Sequence, residues 1–360
     1  MEPIKYSARL GEISASQFQK ALDCFDLGKF VKAEPIPFGL FGQNVFLTST
    51  KGAFVLRGNP HFPWQFPTEQ FFVQQLHKHT RVPVPHPYLI DFSPDIFGWS
   101  YVIMPRMAGL QVTDQQIKKT LNAEDRKGIA RALGENLAVM QELTWPFSGR
   151  YHADTRTIQP FELREELAYP FPIAWDERAN ALEPREITFS ERIVERIRHM
   201  LFQASTYNDR TPPSDIAWLE ELVESTKDAM DNDFQPCFVM EDYKDANVVL
   251  HNDQGKWSVS GVFDLMGGCF GDGEADLSRQ TCVYMDEEPD LAHEFIQAYL
   301  AKKPPRAGFS ERFPIYMLHE RLIIWEYVQR THPAWWDDTL TFRQWTERYI
   351  SAGAQLAIKA

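Results

Sequence analysis

Cysteine is scarce in this 360-residue chain, and the four present, Cys24, Cys237, Cys269 and Cys282, show no Cys-x-x-Cys spacing and no neighbouring histidine pair. Neither a zinc pattern nor a disulfide framework is there, and free thiols in a reducing compartment are expected. Long apolar runs are missing too. No stretch is long enough to cross a bilayer, and Met1-Glu-Pro-Ile-Lys-Tyr6 lacks a basic-then-apolar leader, so a cytoplasmic location is expected. Positive charge is in deficit: 37 Lys and Arg stand against 50 Asp and Glu, a formal net charge of −13. A field of that sign repels phosphate backbones and anionic lipid, which argues against nucleic acid or a membrane as partner. It would attract a cationic ligand, although acidity of this size also serves plain solubility. No internal repeat or low-complexity tract is visible. With 26 Phe, 10 Trp and 12 Tyr, the chain has material for a substantial core, and its length suits two domains or one bilobal unit.

Chemistry gathers in one segment. Asp242 is followed five positions on by Asn247 in Met240-Glu-Asp-Tyr-Lys-Asp-Ala-Asn247, and a second carboxylate, Asp264, closes the apolar run Val259-Ser-Gly-Val-Phe263. Phosphoryl transfer spreads negative charge over oxygens, so a protein serving it supplies positions and cations more than covalent chemistry. A carboxylate can orient a hydroxyl and take its proton, while an amide oxygen and another carboxylate suit magnesium, a hard cation that prefers oxygen ligands. Asp242, Asn247 and Asp264 match those three jobs in that order. Asp-x4-Asn alone is also an ordinary turn pattern. Its flanks add context: Cys237 to Met240 leads in as a strand, Asn247 to Leu250 leads out, and Asn252-Asp-Gln-Gly255 has turn chemistry. Trp257 to Phe263 then returns as a strand that brings Asp264 back beside Asn247.

The segment resembles the aminoglycoside phosphotransferase and choline kinase family, a branch of the protein-kinase-like fold, whose loop runs His-Gly-Asp-x4-Asn, then strand-Asp, then Gly-Asp-Pro-x-x-Asp-Leu. The corresponding residues here are Met240-Glu241-Asp242, Asn247, Phe263-Asp264 and Gly271-Asp272-Gly273-Glu-Ala-Asp276-Leu277. Met240 and Glu241 depart from His-Gly. Lys244 stands where the antibiotic-modifying branch often has His; protein kinases carry Lys there, which makes Lys244 a candidate to neutralise the transferring phosphate. The resemblance implies an α+β, bilobal, protein-kinase-like fold. A small antiparallel β-sheet N-lobe with a helix would take residues 1–104, a hinge 105–109, and a larger, mainly helical catalytic and acceptor-binding C-lobe 110–360. Asp272 and Asp276 are expected to cap or tether loops, outside the catalytic set.

The N-terminal third offers matching positions. Ser14 to Leu27 has the pattern of a short amphipathic helix, and Phe38-Gly39-Leu-Phe-Gly42-Gln43-Asn44 is a glycine-containing turn between β segments. Such a turn can lay backbone amides over phosphates, or simply be tight. Val55-Leu56-Arg57 resembles the family strand that carries the cation for the α and β phosphates, and a guanidinium is a bidentate phosphate partner. Pro67 to Leu76 has helical spacing with Thr68 as a cap, and Glu69 stands where the family places the acid that pairs with the strand cation. A first-turn Glu also simply suits the helix dipole. Val82-Pro83-Val84-Pro85 ends that helix. Trp99 to Met104 then runs as a buried strand into Pro105-Arg106-Met107-Ala108-Gly109, where the family hinge would bind adenine through the Pro105 carbonyl and the Met107 amide.

From Val112 onward the pattern turns helical apart from the catalytic hairpin, and Trp145 to Pro172, rich in Pro, Gly and aromatics, is an excursion. Asn122-Ala-Glu-Asp125 caps a helix whose Ile129, Leu133, Leu137 and Met140 share a core face. The cluster Trp325, Glu326, Trp335, Trp336, Asp337 and Asp338 fits either helix-end core or a cationic acceptor. Taken together, the resemblance implies an enzyme that moves the γ-phosphate of ATP, with Mg2+, to a hydroxyl of a small molecule, with an aminoglycoside or related cationic antibiotic as the lead acceptor and antibiotic resistance as the consequence. A choline-like alcohol, sugar or macrolide as acceptor stays open, as do a non-catalytic nucleotide-binding module on a kinase scaffold and monomer versus dimer. A protein kinase fits less well, since Phe263-Asp264-Leu265 lacks the following Gly and no Ala-Pro-Glu segment appears.

Overall fold

The computed structural model describes residues 4–36, 42–168, 182–231, 233–337 and 339–358. Phe38 to Phe41 of the glycine-containing turn, Tyr169 to Pro172 at the end of the excursion, and Asp338 lie outside them.

Alternating side chains explain the first layer. Strands β1 (Ile4–Ser7) and β2 (Gly11–Ile13) pair as a ribbon, and helix α1 (Ala15–Asp23) starts at Ser14 through a capping box with Gln17. Strands β3 (Phe30–Pro35), β4 (Asn44–Ser49), β5 (Gly52–Gly58), β6 (Leu89–Asp91) and β7 (Tyr101–Pro105) form an antiparallel sheet in the order β3-β4-β5-β7-β6. Successive strand residues face opposite sides. Tyr101 and Ile103 therefore join Leu56, Phe18 and Leu22 in a core under α1, whereas Val102 and Met104 join Phe72, Val73 and Leu76 of helix α2 (Gln65–His79) in the main core. Helix α2 starts two residues before Pro67, with Trp64 at its cap position. Thr68 is not the cap: it lies within the helix and is buried. Proline needs no N–H in a first turn, so Pro67 is accommodated there.

The second lobe is mainly helical. It contains α3 (Gln115–Lys118), α4 (Ala123–Met140), α5 (Leu163–Ala168), α6 (Phe189–Tyr207), α7 (Pro213–Ser225) and α8 (Lys227–Met230), then α9 (Leu277–Glu287), α10 (Asp290–Leu300), α11 (Phe309–Thr331) and α12 (Phe342–Ile358). Asn122 and Asp125 form the capping box of α4. Helix α4 lies so close to α10 that a Cβ on Gly134 would sit 2.2 Å from the Phe295 carbonyl oxygen. The Trp145 to Pro172 excursion carries part of a second sheet. Strands β8 (Gly149–His152), β9 (Thr157–Glu162) and β10 (Glu186–Ile187) join β11 (Cys237–Val239) and β14 (Cys269–Gly271) in that sheet, ordered β10-β9-β8-β14-β11. These strands are too short to carry a period, and their pairing partners are remote in sequence. Between β11 and β14, strands β12 (Val248–Asp253) and β13 (Lys256–Val262) make the expected hairpin, with Val248 opposite Val262. Among the described residues no helix is long and apolar enough to cross a membrane. All four cysteines are free.

Candidate active site

The loop after β11 is held from below. Asp276, buried at the start of α9, accepts the Met240 and Glu241 N–H groups at 2.6 and 2.9 Å, and the Asp245 N–H donates to Gln280 at 2.7 Å. The buried Tyr243 hydroxyl donates to the Leu133 carbonyl at 2.9 Å, pinning the loop to α4. Asp276 thus tethers the loop without entering the reaction centre. Asp272 likewise ties down Arg306 and the Tyr316 hydroxyl.

Between these anchors Asp242 and Asn247 meet. The Asn247 Nδ2 donates to the Asp242 carbonyl at 2.9 Å and to Asp242 Oδ2 at 2.8 Å, which commits the amide nitrogen inward and leaves Oδ1 as the acceptor. The hairpin returns directly to this point, since the Phe263 N–H donates to the Asn247 carbonyl at 3.1 Å. Asp264 follows in the left-handed region, at φ 71°.

Asp264 connects this loop to the first lobe. Arg57 Nη2 donates to Asp264 Oδ1 at 2.8 Å, and its Nη1 pairs with Glu69 Oε2 of α2. Glu69, fully buried, also accepts from Tyr88 at 2.7 Å and from the backbone N–H groups of Asp264 and Leu265 at 3.1 and 3.3 Å. Burial beside Glu69 pushes the Tyr88 phenol well above its ordinary range. A helix, a strand and the end of a hairpin are thereby locked together through one guanidinium. Arg57 Nε and Asn44 Oδ1, on facing residues of β5 and β4, are buried without a hydrogen-bond partner. Such orphans are costly unless a polar ligand satisfies them.

Gln43 is placed differently from Gly42 and Asn44. Its buried carboxamide donates to the Asn59 carbonyl at 2.8 Å and accepts from Gln65 at 3.0 Å, so its side chain serves the lobe interior rather than the cleft. Gly42 has φ 57°, and its carbonyl accepts from Ser7 at 2.6 Å. Pro105 ends β7 opposite Phe54, and Met107 packs so tightly on the hairpin that a Cβ on Gly261 would lie 2.5 Å from its own.

Two cations grip Asp242. Lys244 Nζ lies 2.8 Å from both of its carboxylate oxygens, and Arg279 Nε of α9 donates to Oδ1 at 2.9 Å. Arg279 Nη1 continues to Glu320 of α11 at 2.9 Å. Sequence reasoning missed Arg279, although it stands two residues beyond the Asp276-Leu277 motif. Glu241, which the sequence left without a role, sits at φ 66° and joins a buried ionic cluster. It pairs with Arg192 and, at 3.4 Å, with Arg150; Glu166 pairs with Arg150 at 2.8 Å and with Arg192. Burial pushes the Glu241 carboxyl up, but Arg192 and Arg150 outweigh it and hold the group down at about 2. The cluster anchors the left-handed backbone at a position where an L-side chain costs about 1–2 kcal/mol.

Asp242 and Asp264 line a cavity of about 360 Å³ with Lys244, Arg279 and, from the first lobe, Trp64. Among the described residues no group of three or more His, Cys, Asp or Glu side chains gathers as a metal cage.

A family model described as the phosphotransferase enzyme family matches residues 32–309. The chain belongs to that family. It is a small-molecule phosphotransferase, and the matched span contains every residue placed above in the cleft except those of α11. No curated protein matches the chain. Among solved structures, a Ralstonia eutropha protein provisionally classed as an aminoglycoside phosphotransferase aligns at TM-score 0.60 and 15% identity, covering 96% of this chain and 99% of that one. Aminoglycoside phosphotransferase APH(4)-Ia, as a ternary complex with ADP and hygromycin B, aligns at TM-score 0.56 and 15% identity over 94% of this chain and 98% of that one. Aminoglycoside 2′-phosphotransferase-IIIa in its GDP complex aligns at TM-score 0.54 and 14% identity over 94% of each. At such identities the likeness shows the kinase-like fold, which is the one expected from the sequence.

Proposed function

We propose that the protein transfers the γ-phosphate of ATP to a hydroxyl of a small molecule. The observation that carries this reading is the linked set of contacts at the cleft: Glu69 and Arg57 reach Asp264 across the lobes, the adjoining Phe263 N–H donates to the Asn247 carbonyl, and the Asn247 amide holds Asp242. Adenine would lie against residues 105–109 as a hinge between lobes 1–104 and 110–360, held by the Pro105 carbonyl and the Met107 amide. The phosphates would lie beneath the backbone of Gly42, Gln43 and Asn44 and beside Arg57, whose buried Nε lacks an acceptor. Asn247 Oδ1 and the free oxygen of Asp264 suit Mg2+, which takes few protein oxygens when phosphates and water complete its shell. Bound there, the ion would neutralise charge on the phosphates.

Asp242 orients the acceptor hydroxyl and takes its proton as the hydroxyl oxygen bonds to the γ-phosphorus, while the bond to the bridging oxygen breaks and ADP departs. Lys244 and Arg279 hold that carboxylate in place, and Lys244 is poised to meet the transferring phosphate. ADP and AMP-PNP complexes of the APH(4)-Ia neighbours support nucleotide binding, and their hygromycin B supports an aminoglycoside acceptor. A cytoplasmic location and a part in antibiotic resistance belong to this reading. The departures at Met240 and Glu241 favour a second reading, a nucleotide-binding module without turnover. Thermal shift with ATP, with and without magnesium, followed by ATP-consumption measurements separates the two. Binding without any ATP consumption across aminoglycosides, other antibiotics, choline and sugars sinks the enzymatic reading.

A further inference from the structure

A second cavity, of about 630 Å³, adjoins the first and shares Lys244 and Arg279 with it. Its walls are indoles: Trp335, Trp336 and Trp345 line it, with Trp336 edge-on to both of the others at ring-centre distances of 6.0 and 5.2 Å. Trp335 is 67% exposed, an unusual position for so large an apolar ring and one that a flat ligand would cover.

The charge of the lining is positive. Lys244, Arg279, Arg321 and Arg348 face Asp286 and Asp337 among the described residues. Asp286 is already engaged by Arg321 at 3.1 Å, Arg348 at 3.0 Å and the Tyr349 hydroxyl. Arg321 is buried, and its Nε has no hydrogen-bond partner. The acids of the smaller cavity are taken as well. Glu166 and Glu241 are paired as above, Glu320 with Arg279, and Glu326 with Arg330 at 2.8 Å. A polyammonium ligand needs free carboxylates, and in the described lining of both cavities only Asp337 lacks a cation within 4.0 Å.

We infer that the tryptophan-lined cavity is the acceptor's body site, and that it takes a flat apolar or aromatic alcohol bearing an anionic group rather than a cationic aminoglycoside. Indoles supply the faces for the ring, and Arg348, exposed and bonded to Asp286 through Nη2, has further guanidinium N–H groups to serve as charge-assisted donors for the anion. Because Lys244 and Arg279 line both cavities and touch Asp242, a ligand seated on the indoles extends its hydroxyl past these two side chains to the carboxylate. The inference keeps the proposed phosphotransfer, on which it rests only for the hydroxyl's destination, and replaces the aminoglycoside acceptor and the resistance role that the neighbours suggest.

The test is calorimetric binding to the full chain without nucleotide, using 3-phenyllactate, its carboxylate-free relative 2-phenylethanol, and hygromycin B. The aromatic acid is expected to bind roughly tenfold more tightly than either of the others, the worth of one charge-assisted hydrogen bond. Trp335→Ala and Arg348→Ala, both at exposed positions, should each weaken it by roughly five- to tenfold, Trp335→Phe should retain most of it, and Mg-ATP affinity should stay unchanged in all three. Tighter binding of hygromycin B, absence of phenyllactate binding, or indifference to both alanine variants overturns the inference. Since no nucleotide is present, these outcomes are independent of turnover. Loss of ATP consumption with phenyllactate binding intact would instead count against the catalytic reading.

Discussion

Arg57 joins the two lobes, and replacing it by Met isolates that contribution. Arg57→Met keeps the aliphatic length of the stem but leaves Glu69, whose side chain has 0% exposure, as a buried carboxylate without its cation. Removing one partner of a buried ion pair costs about 3–5 kcal/mol. The phenol of Tyr88 and two backbone N–H groups remain on Glu69, at 2.7, 3.1 and 3.3 Å, which places the expected loss at the low end, about 3 kcal/mol. An unfolding entropy of about 2.1 cal/mol/K per residue, applied to 360 residues, turns that into a fall in Tm of roughly 4 °C. Differential scanning calorimetry measures it. Adding Glu69→Gln removes the stranded charge, so the double variant should recover about 2 kcal/mol relative to the sum of the singles. A Tm within about 1 °C of wild type for Arg57→Met, or simple additivity in the cycle, refutes the claim that Arg57 and the buried Glu69 stabilise each other as an ion pair at the cleft.

Two further outcomes follow from the loop's supports. The Glu241 carboxyl is held at about 2 against an ordinary 4.5, so its stabilisation is fully present above about pH 4.5 and is lost as pH falls toward 2. The Tm gap between wild type and Glu241→Gln should therefore be widest near neutral pH and close through that window; a gap independent of pH contradicts the assignment. Arg279 aims Asp242 through a 2.9 Å bond, so Arg279→Met should lower ATP turnover by roughly ten- to a hundredfold with nucleotide affinity little changed, and Arg279→Lys should restore part of it. Unchanged turnover in Arg279→Met removes it as a positioning residue.

The parts legible in the sequence are those whose partners are local or lie on strongly patterned elements. Asp242 and Asn247 share one loop, Asp264 is returned by a hairpin with turn chemistry at Asn252 to Gly255, and Arg57 and Glu69 sit on a strand and a helix with clear periods. The Glu241 cluster was not legible, because Arg150, Glu166 and Arg192 come from β8, α5 and α6, and no spacing announces that three distant elements meet. The second sheet stayed hidden for the same reason, its strands running from two to six residues. Gln43 stands in the expected turn just before β4, and its side-chain bonds to Asn59 and Gln65 are long-range contacts that no local pattern announces. Net acidity does not describe the cleft itself, where carboxylates are matched by arginines that composition cannot place.

The central claim is that Asp242 receives the acceptor proton at a site otherwise competent to bind nucleotide. It is tested most directly by measuring Mg-ATP affinity and ATP consumption side by side in wild type and Asp242→Ala. The account predicts nucleotide affinity within about threefold of wild type and a loss of turnover on the order of a hundredfold or more. Retained phosphate transfer in Asp242→Ala contradicts it.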